Sequence, residues 1–311
     1  MLPLRNNLPE QRRGLLKKLL VSATGPLRIL ESHNGLSALI ANDTAISSSS
    51  GTITSFDGIW ISGLAETASR GLPDIELQGL TARLALCREV AMVTDKPMVV
   101  DGDTGGTIEQ LQYHIRLLEG MGISGLIIED KVFPKNNSLD MVKPQVLEDP
   151  DVFARKIAAG KQAQLSEDFL LIARIEALIA GKGMPEALMR AQKYLLAGAD
   201  AIVIHSRSGR PDEVLEFARG YQELCRANQL DVPLVCIPTT YGSIKEEELF
   251  EAGFKLIIYA NFLLRSAYLA MKETAEAILE HGRSLEAEPL CCPLPELFKC
   301  IEPAVRAVPK N

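Results

Sequence analysis

The chain has 311 residues, 47% hydrophobic and 23% charged, enough to bury a large core within one barrel-sized domain spanning 1–311. A net charge of -7 and a pI near 5.3 leave no basic footprint for nucleic acid, so any anion site must gather its positive charge locally. The six cysteines (Cys87, Cys225, Cys236, Cys291, Cys292 and Cys300) lack metal-ligand spacing and read as reduced thiols of a cytoplasmic protein. Met1 to Lys18 has no uninterrupted apolar core, so neither a signal peptide nor a membrane span is expected.

Eight short apolar runs, many rich in Val and Ile, alternate with helix-length amphipathic segments. In chain order they are Leu27 to Leu30, Gly58 to Ile61, Met98 to Val100, Gly125 to Ile128, Leu170 to Ala173, Ala201 to Ile204, Leu234 to Ile237 and Leu256 to Tyr259. Runs apolar on both faces and separated by helices indicate a parallel sheet covered by helices. Eight such units predict an α/β fold of the (β/α)8 type, ahead of an open doubly wound sheet. Two stretches depart from the repeat. Asn42 to Asp57, with Ser47 to Ser50 and Gly51, reads as a flexible loop or insertion; Lys131 to Pro150 is long for a βα loop and reads as a lid. Pro293, Pro295, Pro303 and Pro309 give the tail from about 285 to 311 an extended or broken-helix end.

In such a barrel the residues that follow the strands build the site. Asp101, Asp103 and Glu129 follow the third and fourth runs, and hard carboxylate oxygens on rigid strand ends suit magnesium. Carboxylates so close together need a cation, since without one their mutual repulsion raises their pKa values. Arg174 and His205 end the fifth and sixth runs and suit an anionic group, although an ion pair between Arg174 and Glu176, two apart on a strand, is equally reasonable. Ser62, Gly63 and Leu64 offer backbone N–H groups after the second run. Lys131 and Lys135 are the nearest positive charges on the suspected lid, and Asp74 sits in the loop beyond the second run with no sequence partner.

These motifs together resemble the phosphoenolpyruvate mutase and isocitrate lyase superfamily, and within it the branch of the phosphoenolpyruvate mutases and phosphonopyruvate hydrolases. The matching segments are Glu31 to Ala38, Ile59 to Leu64, Asp101 to Gly105, Glu129 to Lys135, Ala173 to Ala177 and His205-Ser206, in family order over about Leu27 to Ala267. The resemblance implies a barrel whose last helix is exchanged between subunits of a homodimer or homotetramer. It implies Mg2+ near Asp101, with Asp103 and Glu129 mostly reaching it through water. Trp60 would pack on the substrate and Ser62, Gly63 and Leu64 would hold its carboxylate. Arg174 and His205 would bind phosphoryl or phosphonyl oxygens, Asp74 would lie near the phosphorus, and the loop Lys131 to Leu139, with Lys135, Asn137 and Ser138, would close over the site.

The lid separates the branches. Mutases of the family resemble Lys-x-Asn-Ser here, and this chain reads Lys135-Asn136-Asn137-Ser138, whereas the hydrolases tend to carry threonine where Asn137 stands. The carbon-carbon lyases resemble a cysteine-bearing loop, and no cysteine lies between Cys87 and Cys225. The expected reaction is therefore the interconversion of phosphoenolpyruvate and 3-phosphonopyruvate, with hydrolysis, lyase chemistry or a silent scaffold as alternatives. Gly102 and Gly106 depart from the family, which commonly has alanine and an aromatic residue there.

Overall fold

The computed structural model describes residues 8–49 and 51–302. Eight parallel strands close into a barrel: β1 (Leu27–Ser32), β4 (Gly58–Ile61), β5 (Met98–Asp101), β6 (Gly125–Glu129), β7 (Leu170–Ile175), β8 (Ala201–Ile204), β9 (Leu234–Cys236) and β10 (Phe254–Tyr259). Each of the eight apolar runs became one of these strands. The ring shuts where β1 pairs β10 on one side, Leu27 opposite Leu256, and β4 on the other, Glu31 opposite Trp60. The remaining strands, β2 (Ala45–Ser47) and β3 (Ile53–Ser55), form a small antiparallel hairpin, so the segment read as a flexible loop carries order of its own.

The strands are apolar on both faces because each face meets a different core. Ile29, Trp60, Val99, Ile127, Ile172, Val203, Val235 and Ile258 point inward and fill the barrel, whose lower end is plugged by Leu16 and Leu20 of the helix Leu15–Ser22. Their neighbours Leu30, Ile61, Val100, Ile128, Ala173 and Ile204 point outward against helices such as Leu80–Val93, Ile108–Gly120 and Gly183–Leu196. Each fully buried aliphatic side chain stabilises the fold by about 1.5–3 kcal/mol relative to exposure.

Caps fix where the helices begin. Thr107 accepts from the Gln110 amide at 3.3 Å while the Gln110 side chain accepts from the Thr107 amide at 2.9 Å, and Asp149 caps the helix Pro150–Ala163. The helix Phe262–His281 has no buried residue, nor does Leu294–Ile301, which follows a short 3-10 turn at Glu288–Leu290 and gives the expected broken-helix end. Pro303 and Pro309 lie outside the described residues. Among the described residues no helix is long and apolar enough to cross a membrane.

Candidate active site

The period of two along a strand carries the site. Two residues beyond each inward apolar side chain the chain still points into the barrel, now at its mouth. Trp60 is followed by Ser62, Val99 by Asp101, Ile127 by Glu129, Ile172 by Arg174, Val203 by His205, Ile237 by Thr239 and Ile258 by Ala260. All of these except Glu129 line one pocket, together with Leu64, Asp74, Asn261 and four residues of the lid, Lys135, Asn137, Ser138 and Leu139. Asp103 and Glu129 sit just behind its surface, 2% and 1% exposed.

One side of the pocket is acidic, and the buried Lys135 ammonium stands among its carboxylates. Lys135 Nζ lies 2.7 Å from Asp103 Oδ1, 3.3 Å from Asp74 Oδ1 and 3.6 Å from Glu129 Oε1. Burial alone would push the Lys135 pKa down, but these carboxylates outweigh it and hold the lysine charged. Burial likewise opposes ionisation of Asp101, and Lys135 and Arg83 overcome it, leaving the carboxyl below its ordinary range. Arg83, from the helix Leu80–Val93, reaches under the cluster. It donates to the Asp101 carbonyl and, through Nη2, to Asp103 Oδ2 at 3.2 Å, with Glu66 Oε2 3.6 Å from its Nε.

The donor set fits a hard divalent cation. Glu129 is buried with neither carboxylate oxygen receiving a hydrogen bond, and its nearest cations are Arg174 at 3.4 Å, Lys135 at 3.6 Å and Lys131 at 3.8 Å. Among the described residues no three His, Cys, Asp or Glu side chains converge closely enough to ligate one ion directly. Hard carboxylate oxygens are the donors that magnesium prefers, and it takes one or two of them directly with water filling the rest of its shell.

The opposite side carries Arg174 and His205. Arg174 donates through Nε to Glu176, through Nη2 to Ser138 Oγ at 2.8 Å and through the same Nη2 to His205 Nδ1 at 2.7 Å. Both readings of Arg174 thus hold: it is paired with Glu176 and it faces the pocket. Burial, then Arg174, keeps His205 below its ordinary pKa, which favours the neutral ring. Burial disfavours the Glu176 carboxylate, but Arg174, Lys131 and His205 hold it ionised, well below the usual carboxylate range.

The lid lies down on this centre. Its base is pinned where Val132 N donates to Val146 O at 3.0 Å and Glu148 N to Asp130 O at 2.9 Å. At its tip Asn137 Nδ2 donates to Asp74 Oδ2 at 2.6 Å, and Ser138 Oγ donates to Glu176 Oε2 at 2.7 Å. Lys131 Nζ donates to Asn136 O at 2.9 Å and to Ser138 Oγ at 2.5 Å. Both loop lysines are buried.

One expectation needs correction and several residues were missed. Gly63 N–H does not face the pocket; it donates to Asp101 Oδ2 at 3.1 Å, so it positions a carboxylate of the protein. A Cβ on Gly63 would stand 3.0 Å from both Asp101 Oδ2 and Asp103 Oδ1, which is why glycine sits there. Ser62 Oγ accepts from Ala65 N at 3.2 Å and so caps the helix Gly63–Ser69. Arg83, Glu66 and Glu76 belong to the centre, yet no local pattern marks them. The two departures from the family have local causes. A Cβ on Gly102 would lie 2.7 Å from Leu126 Cδ1 and 3.0 Å from Ile127 O, and Gly106 is left-handed with its would-be Cβ 2.3 Å from Gln110 Oε1.

A closed parallel barrel whose mouth sets an acidic, cation-seeking wall against an anion-binding one is a (β/α)8-barrel enzyme. The profile of the phosphoenolpyruvate phosphomutase family matches residues 16–279, and the chain belongs to that family. It is 36% identical over 272 residues to the phosphoenolpyruvate phosphomutase of Tetrahymena pyriformis, covering 87% of this chain and 85% of that one. It is also 36% identical over 275 residues to the phosphonopyruvate hydrolase of Variovorax sp. (strain Pal2), covering 88% of each. The crystal structure of a phosphoenolpyruvate phosphomutase from Streptomyces platensis subsp. rosaceus matches with a TM-score of 0.82 at 40% identity, over 92% of this chain and 93% of that one. A phosphonopyruvate hydrolase crystallised with oxalate and magnesium matches with a TM-score of 0.78 at 32% identity, over 94% and 95%.

Proposed function

We propose that the chain is a magnesium-dependent phosphoenolpyruvate phosphomutase, interconverting phosphoenolpyruvate and 3-phosphonopyruvate. The observation that carries this choice is Asn137, whose amide lines the pocket from the lid while Asp74 fixes it at 2.6 Å. Asp101 would hold the magnesium, with Asp103 and Glu129 acting through water, and the ion would neutralise the pyruvate enolate. The chain's own groups do the rest. Trp60, Ser62 and Leu64 bound the carboxylate end, and Arg174, neutral His205 through Nε2–H, and Asn137 donate to the oxygens of the phosphoryl group.

The transfer conserves its atoms. The bond between phosphorus and the enol oxygen breaks with its electron pair left on the enolate, and carbon 3 then captures phosphorus as the carbonyl re-forms. No proton is taken up or lost. Between the two events the phosphoryl group must meet no water, which is what a lid tied down at Asp74 and Glu176 achieves.

Equal identity to a mutase and to a hydrolase leaves overall likeness neutral between them, and so the test must watch the product. Phosphorus-31 NMR of the enzyme with magnesium and phosphonopyruvate is expected to show phosphoenolpyruvate as the first product. Inorganic phosphate as the first product makes the chain a phosphonopyruvate hydrolase. We further propose a single-domain homodimer or homotetramer in which the helix Phe262–His281 packs on a neighbour, because Tyr268, Leu269, Met271 and Leu279 are 63%, 54%, 62% and 84% exposed.

A further inference from the structure

Glu76 stands outside every motif, and yet its side chain bridges the loop after β5 to the main chain of the lid. Its Oε1 accepts from Thr104 Oγ1 at 2.8 Å and from Thr104 N at 3.3 Å, and its Oε2 faces the Lys135 backbone N–H at 3.4 Å. Thr104 follows Asp103 directly, and Lys135 carries the ammonium that balances Asp103, Asp74 and Glu129. Glu76 also holds a φ of 56°, a left-handed conformation that non-glycine residues seldom adopt, and it does so two residues after Asp74. Segment 74–76 thus grips the lid at three points: Asp74 on the Lys135 ammonium, Asp74 on the Asn137 amide, and Glu76 on the Lys135 main chain.

The main-chain contact differs in kind from the other two. Lys135 Nζ and Asn137 face the pocket and must adjust to whatever lies in it, whereas a bond to the Lys135 N–H fixes the path of the lid regardless of how those side chains turn. We infer that Glu76 is a positioning residue, a latch that couples the carboxylate loop 101–104 to closure of the lid 131–147. Glu76 touches neither the substrate nor the reacting atoms; it acts by placing Lys135 and Asn137. Its kinetic consequence rests on the phosphomutase reading above, but its structural content does not.

Hydrogen–deuterium exchange on the unliganded full-length protein tests this. Glu76→Gln keeps the size and backbone of the residue but weakens both contacts, and Thr104→Val removes the hydroxyl that aims the carboxylate. Losing the hydrogen bonds of the Glu76 carboxyl corresponds to about tenfold in an opening equilibrium. Exchange in the peptide 131–147 is therefore expected to speed up about tenfold in both variants, with the β6 peptide 125–129 unchanged. Lid exchange equal to wild type in Glu76→Gln overturns the latch. So does an equal acceleration throughout the barrel, which would make Glu76 a general stabiliser of the fold. A faster lid in variants whose parent converts phosphonopyruvate to neither phosphoenolpyruvate nor phosphate leaves the latch standing and removes the phosphomutase reading instead. With the parent active, the latch also requires the kcat/KM of Glu76→Gln for phosphonopyruvate to fall while first-product identity stays unchanged.

Discussion

Arg174 Nη2 and His205 Nδ1 are 2.7 Å apart, with Glu176 Oε1 3.0 Å from the same ring nitrogen. A guanidinium can only donate and an ionised carboxylate can only accept, so the two neighbours ask opposite roles of Nδ1; the shorter Arg174 contact favours an accepting Nδ1 and so a proton on Nε2. The neighbours of His205 therefore decide its tautomer as well as its charge.

The first consequence concerns pH. Burial, then Arg174, holds the native pKa of His205 below its ordinary value of 6.5. The unfolded chain thus takes up the proton first as pH falls. The stabilisation from a neutral His205 is complete above pH 6.5 and is lost as pH drops through the native pKa. Asp130 and Glu76, raised to about 6 and about 7 mainly by burial, shift stability in the opposite sense, so the wild-type curve alone does not isolate the histidine. The difference in unfolding free energy between wild type and His205→Asn does. It is expected to shrink below pH 6.5, and imidazole nitrogen NMR should show the Nε2–H tautomer at neutral pH. A ring already protonated at pH 7 would contradict the Arg174 bond.

The second consequence concerns the guard against water. Asn137 Nδ2 is held by Asp74 at 2.6 Å, and Asn137 Oδ1 accepts from Leu139 N at 2.9 Å, so the amide is fixed at both ends. Asn137→Thr removes the amide donor and shortens the side chain. Loss of a donor that acts in the transition state costs on the order of 10²-fold in kcat. The variant is expected to lose mutase turnover on that scale and to release a larger share of inorganic phosphate, read by phosphorus-31 NMR. An unchanged product ratio would mean that water is excluded by some other part of the lid.

The barrel was legible in the sequence because its strands are buried on both faces. Val99 and Val100 serve different cores yet are both aliphatic, so the run survives without alternation. The strand ends were harder: β7 continues through Arg174 and Ile175, but the charge made the apolar run stop at Ala173. The hairpin at 45–55 escaped because its strands are three residues each, largely exposed and rich in Ser and Thr. Asp101, Glu129, Arg174 and His205 were found because strand position and residue type agree. Arg83 was not, since its signal lies wholly in the third dimension: it is 1% exposed on a helix and spans from there to Asp101 and Asp103. The sequence placed Lys131 and Lys135 on the lid, but nothing local shows that Asp74, Asp103 and Glu129 converge on the Lys135 ammonium.

Those carboxylates make the third prediction. Lys135→Met leaves Asp74, Asp103 and Glu129 buried without their shared ammonium. Breaking a buried ion pair from one side costs about 3–5 kcal/mol. The metal-free variant is expected to melt well below wild type. Magnesium offers the same carboxylates a replacement cation, so the rise in melting temperature on adding it should be larger in the variant than in wild type. Differential scanning calorimetry with and without magnesium reads both effects. An equal magnesium-induced rise would show that the ion and Lys135 do not share a carboxylate field.

The fourth prediction concerns Gly102, where this chain departs from the residue common in its relatives. Gly102 N donates to Ile127 O at 2.7 Å, which draws the loop after β5 tightly onto β6. A methyl group added here would meet Leu126 Cδ1 at 2.7 Å and the Ile127 carbonyl at 3.0 Å, and Ile128 Cγ2 at 3.1 Å closes the third side. The leucine methyl can rotate away, but the carbonyl belongs to a barrel strand and moves only with the strand. Overpacking of this kind costs about 1–3 kcal/mol, and Gly102→Ala is expected to lower the unfolding midpoint by that much. Because the displaced loop carries Asp101 and Asp103, magnesium affinity should fall with it. Gly25→Ala is the matched control, since nothing lies within 4 Å of its would-be Cβ and its backbone is not left-handed. That variant loses only unfolded-state entropy and is expected to match wild type or gain slightly. Equal midpoints for the two substitutions would show that the barrel mouth yields to a methyl group without resistance, and the tight seating of the carboxylate loop would then owe nothing to Gly102.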